Sequence, residues 1–83
     1  MAKKTLEQCK TGRDFIGYAE HRGGYVDRQC GSHAIVKAPS GGTCPVPVHP
    51  GEIPTGTRYS IIKRFITIGL AVMILSIGLL VML

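Results

Sequence analysis

Beyond Arg64 the chain carries no charge: all ten Lys and Arg and all five Asp and Glu lie between Met1 and Arg64. This excludes a solvated surface helix over residues 65–83, and a 64-residue domain cannot cover so apolar a stretch on every side. The N-terminus, Met-Ala-Lys-Lys-Thr-Leu-Glu-Gln, lacks an apolar h-region, so no signal peptide is expected. Cysteine is scarce. Cys9, Cys30 and Cys44 are an odd set without metal-ligand spacing, which reads as small thiols in a reducing compartment rather than a zinc site. There is no phosphate-cradling glycine loop, no paired-carboxylate site and no Cys–His dyad. Neither a metal nor a cofactor is expected.

What is present divides the 83 residues into a basic part and an apolar tail. The net charge of +5 belongs wholly to the first part. A domain of that size buries only ~60% of its unfolded surface, so a partner or a membrane would help it persist. Twelve of the nineteen residues from Phe65 to Leu83 are Leu, Ile, Val or Phe. As a helix they span roughly 28 Å, close to a hydrocarbon core of ~30 Å. They favour insertion by roughly 4 to 7 kcal/mol. The expectation is a transmembrane helix over 65–83. Lys63 and Arg64 precede it, which holds the preceding domain in the cytoplasm, tail-anchored to the inner membrane.

Along the basic part, residues 1–10 are polar and expected to be flexible. Thr11, with Asp14 three residues on, reads as a helix start in which Asp replaces the usual capping Glu. The helix Arg13–Arg22 places Phe15, Ile16 and Ala19 on one face, and Gly23-Gly24 stops it. Tyr25–Gln29, His33–Lys37 and Thr43–Val48 read as strands separated by Cys30-Gly31-Ser32 and by Pro39-Ser40-Gly41-Gly42. A second helix, capped by Thr55 or Thr57, carries Tyr59, Ile61, Ile62 and Phe65.

Pro45 and Pro47 lack donors on the same side of the third strand, which places that strand at an edge. Ala34 and Val36 then face the core with Cys44, Val46 and Val48. His33, Ile35 and Lys37 face the other way, as do Pro45, Pro47 and His49. If Lys37 lies opposite Thr43, His33 lies opposite Pro47, with His49 diagonal to it at roughly 7–8 Å. The fold class is α+β: an αβββα order like that of double-stranded-RNA-binding domains, with both helices on one sheet face, followed by the C-terminal apolar helix.

Several residues carry a family resemblance. They are Gly31-Ser32-His33 opening a strand, Val46-Pro47-Val48-His49, and Pro54-x-Gly56-Thr57-x-x-Ser60-Ile61-Ile62-Lys63. Upstream, Thr11-Gly12-Arg13-Asp14 and Gly24-Tyr25 mark the helix start and stop. In this order they resemble the HicA family of bacterial toxins, the messenger-RNA endoribonucleases of toxin–antitoxin pairs. The resemblance covers about residues 11–65, a toxin domain expected over 11–64, and the apolar tail departs from it. It implies that His33 is catalytic, that RNA is cleaved without a metal, and that a HicB-like antitoxin covers the site.

The chemistry is compatible on its own terms. RNA supplies its own nucleophile, the 2′-OH, and a histidine titrating near ~6.5 suits proton transfer at cellular pH. Ser32 and His49 are further candidates for acid, base or RNA contact. Lys37, Arg28 and Arg58 are candidates to hold phosphate. A second reading also fits the residues: a non-catalytic RNA-binding or membrane-acting small protein derived from a decayed toxin gene.

Overall fold

The structure, a computed structural model, describes residues 5–71. Its elements are α1 (Gly12–His21), β1 (Tyr25–Cys30), β2 (His33–Lys37), β3 (Thr43–Pro47) and α2 (Thr55–Thr67). The strands form one antiparallel sheet in the order β1-β2-β3.

The start of α1 is closed reciprocally. Thr11 Oγ1 accepts from the Asp14 N–H at 3.1 Å, and the Asp14 carboxylate accepts from the backbone N–H groups of Thr11 at 3.2 Å and Lys10 at 3.0 Å. At its other end Gly23 takes φ +89°. The Gly24 N–H then reaches back to Ala19 O at 2.8 Å and the Gly23 N–H to Glu20 O at 3.1 Å, a Schellman motif.

The β2–β3 register pairs His33 with Pro47, Ile35 with Pro45 and Lys37 with Thr43, as the proline positions require. Ala34 opposite Val46 and Val36 opposite Cys44 keep their donors for the ladder, and the Val48 N–H extends it to Ser32 O at 2.8 Å. The two missing donors lie along the outer edge of the sheet. Strand β1 skips a residue between Val26 and Arg28, which leaves Asp27 as a bulge.

Both helices cover the face that carries Val36, Cys44 and Val46. Phe15 and Phe65 meet edge to face with centroids 5.7 Å apart, and Tyr18 stacks on Phe65 at 6.2 Å. Each pair contributes about 0.5–1.5 kcal/mol beyond its burial.

Four expectations change. Of the stretch 1–10 expected to be flexible, residues 5–10 are tied to the domain: Leu6–Gln8 form a 3₁₀ turn, Cys9 is fully buried, and Lys10 O accepts from the Ile53 N–H at 2.7 Å, while residues 1–4 lie outside the described residues. Neither Thr55 nor Thr57 caps α2. Pro54 is the N-cap, with no side-chain cap bond, and its φ of −54° already suits a helix start. Pro47 is buried although Pro45 is exposed, because the backbone of Gly12 presses on the Pro47 carbonyl.

The fourth change concerns the apolar run. Helix α2 ends at Thr67, and Gly69 turns the chain with φ +85°. The Leu70 N–H bonds Phe65 O at 2.8 Å and the Gly69 N–H bonds Ile66 O at 3.2 Å, the same closure as in α1. Ser40 Oγ donates to Ile68 O at 2.7 Å, which fixes the helix end to the β2–β3 loop. Phe65, Ile68, Leu70 and Ala71 all belong to the core. The apolar helix expected to start at Phe65 is therefore interrupted inside the domain. Among the described residues no helix is long and apolar enough to cross a membrane. The remainder of that expectation, residues 72–83, lies outside the described residues.

Candidate active site

His33 is placed by the turn before it and the strand after it. Gly31, φ +59°, opens the two-residue loop between β1 and β2, and Ser32 keeps a φ outside the left-handed region. This is the φ pattern of a type II′ hairpin turn, which requires glycine at its first central position. Ala34 and Val36 point into the core, so by alternation His33 points to the open face. Cys30 faces it across β1–β2 and Pro47 across β2–β3. Its side chain is exposed, and no hydrogen bond engages its ring among the described residues. Both ring nitrogens are therefore available to a substrate.

The open face has three rows: Tyr25–Lys37–Thr43, Arg28–Ile35–Pro45 and Cys30–His33–Pro47. Arg28 lies beside the His33 row. Contact with Cys30, then with Asp27, raises its pKa further, so it is a permanent charge. That charge is already shared with Asp27, Nη1 to Oδ2 at 2.9 Å on the exposed surface. Lys37 is four residues from His33, about 13 Å along β2, so it can meet only a more distant part of a bound strand.

A groove of about 260 Å³ runs from His33 between β3 and α2, shared with Pro45, Pro47, Thr57, Ser60 and Arg64. Arg64 Nε donates to Thr43 O at 2.8 Å. At the base of the groove Cys44 is held protonated: burial pushes its thiol up to about 11, against a smaller downward pull from Arg64. A thiol of that kind is not a nucleophile at neutral pH.

Residues 12–65 match the family model described as HicA toxin of bacterial toxin-antitoxin. The chain belongs to the HicA toxin family. No curated protein and no solved structure matches it. The matched stretch of the HicA domain holds all five elements but for the last two residues of α2, and stops before Ile68, Leu70 and Ala71, which complete the core.

The HicA domain gathers some of the candidate residues and separates others. Ser32 flanks His33, and its backbone carbonyl is engaged by Val48. His49 lies past the end of β3 and lines a different depression of about 620 Å³, with Thr11, Gly12 and Arg13; its Nδ1 is 3.4 Å from Pro50 O. Arg58 lines a third hollow, of about 160 Å³, with Glu7 and Tyr59, and its buried Nε has no hydrogen-bond partner among the described residues. Sequence alone assigned no site role to Thr57, Ser60 or Arg64. The signal was there in their spacing, since positions 57, 60, 61 and 64 share one helical stripe. Recognising it as a site required knowing that this stripe lies beside the proline edge.

Proposed function

We propose that this HicA-family chain is the toxin of a toxin–antitoxin pair and cleaves mRNA without a metal, with His33 as its catalytic residue. One observation carries the reading: His33 is exposed on the groove that Arg64 also lines, with its ring unengaged among the described residues. In the proposed step neutral His33 takes the proton from a ribose 2′-OH as that oxygen attacks the adjacent phosphorus. The bond from phosphorus to the 5′ oxygen breaks, and the leaving oxygen takes a proton from the solvent on this open face. The products are a 2′,3′-cyclic phosphate and a 5′-hydroxyl. His49, in a separate depression, has no part in this step, and Arg28 is the nearer of the candidate phosphate contacts.

The test is cleavage of an RNA transcript by wild type and by His33→Ala. The variant loses cleavage by at least about 100-fold, as expected for removal of an acid–base group, and keeps its far-UV spectrum because His33 contributes nothing to the core. Cleavage persists in EDTA and leaves cyclic phosphate ends. A folded His33→Ala protein with full activity overturns the assignment.

The implied partner is a HicB-type antitoxin covering this face. Opposite a chain of net charge +5 it should present carboxylates. Association should then slow as salt rises from low to physiological concentration. Stopped-flow rates that ignore salt would contradict this.

A further inference from the structure

We infer that the groove between the proline edge of β3 and α2 seats the RNA strand next to the scissile bond, with Arg64 holding a phosphate and Ser60 reading a ribose 2′-OH. The inference rests on the ribonuclease reading for its substrate class, but its own evidence is the build of the groove.

The polar groups of the groove are matched to RNA. Thr43 alternates with Pro45 and Pro47, so its carbonyl points to the outer edge, where Arg64 Nε takes it at 2.8 Å. That bond fixes the guanidinium plane and leaves the two terminal nitrogens to donate. No acidic residue lines the groove, and Arg64 makes no salt bridge among the described residues. A fixed, unpaired guanidinium is a phosphate fork. Ser60, one turn earlier on the same face of α2, donates its hydroxyl proton to Gly56 O at 3.2 Å. Its oxygen can then only accept, and a 2′-OH is a donor that DNA lacks. The prolines complete the seat. They remove the edge donors that another strand would need, and the exposed Pro45 ring offers an apolar surface to a sugar or base.

The experiment measures binding apart from cleavage. The full chain carrying His33→Ala is titrated with a labelled eight-nucleotide single-stranded RNA, and with DNA of the same sequence, at several salt concentrations. Adding Arg64→Ala weakens RNA binding about tenfold or more. It also lowers the slope of log affinity against log salt by about 0.7, one phosphate of a single strand. Arg64→Lys, which keeps the charge but not the fork, restores the slope with only part of the affinity. Ser60→Ala narrows the preference for RNA over DNA. Thr57→Glu, inside the groove, weakens binding, whereas Tyr59→Glu, of equal charge on another face of α2, does so far less. A purely structural latch role for Arg64 would move melting temperature and leave the salt slope and the Thr57→Glu arm unchanged. Unchanged RNA affinity and slope in folded Arg64→Ala and Thr57→Glu proteins overturn the proposal. So does unchanged RNA affinity together with weakened binding of an Asp- and Glu-rich peptide titrated alongside, which would assign the groove to a protein partner. Because these arms use a catalytically silenced chain, they stand or fall independently of whether wild type cleaves.

Discussion

At the scale of single residues, Cys44 shows how the core constrains chemistry beside the groove. It is buried, and burial raises its thiol to about 11 from an ordinary value of 9.0. A raised folded-state value means that the native protein binds this proton more tightly than the unfolded chain does. The associated stability is fully present below about pH 9 and is lost as pH rises through about 11. The loss is bounded by about 3 kcal/mol, because each pH unit between the ordinary and the raised value is worth about 1.4 kcal/mol. Urea melts from pH 8 to 11 check this: wild type should lose stability more steeply than Cys44→Ala, and parallel profiles would rule the effect out. Cys44 also shows what could be read from sequence at this scale. Its side of β3 followed from alternation, as did that of His33. The companions of His33 did not, because Arg64 reaches the groove from a helix about 30 positions further along the chain. His49 lies two residues past the end of β3 at Pro47, where alternation no longer fixes the direction of a side chain.

At the scale of elements, glycines in one helix have opposite roles. A Cβ on Gly12 would lie 1.8 Å from Pro47 O, a backbone atom that cannot move without shifting β3. Nothing lies within 4 Å of a Cβ on Gly17, in the exposed middle of α1. Gly12→Ala should therefore destabilise by about 1–3 kcal/mol or more, as overpacking does. Gly17→Ala should stabilise by about 0.5–1 kcal/mol, by helix propensity. Chemical denaturation of the two variants gives the signs directly, and a neutral Gly12→Ala would mean that α1 does not press on β3. The helix ends teach a related lesson. Gly23 and Gly69 close α1 and α2 by the same motif, yet only Gly23 announced it. Gly24 and a polar segment follow Gly23, whereas Leu70 and more apolar residues follow Gly69, as in a membrane helix. Leu70 is instead the apolar residue that this motif seats against Phe65, and both are fully buried. Hydropathy alone cannot separate a capped core helix from the start of a span.

At the scale of the whole molecule, the question is where the domain ends. The charge pattern placed its end at Arg64, but the core continues through Ile68, Leu70 and Ala71. Leu70 also lies against Gly24, where a Cβ would meet its Cδ2 at 3.1 Å, so it ties the C-terminal segment to the loop after α1. Burying Ile68 and Leu70 contributes about 1.5–3 kcal/mol each, as an upper estimate. A domain of about 70 residues holds only about 3–10 kcal/mol in total. Losing both, together with the Ser40 bond to Ile68 O, removes much or all of that margin. A chain stopped after Phe65 should therefore be unfolded or close to it, while a chain stopped after Ala71 should melt cooperatively near the temperature of the full chain. Far-UV circular dichroism melts of the two truncations decide the matter. Equal melting temperatures would show that the turn at Gly69 adds nothing to the fold, and residues 66–71 would again be free to enter a bilayer. With the turn in place they are not: drawing Phe65 into lipid would remove the ring that Phe15 and Tyr18 pack against. Carbonate-washed fractionation of the chain stopped after Ala71 should therefore recover it in the soluble fraction.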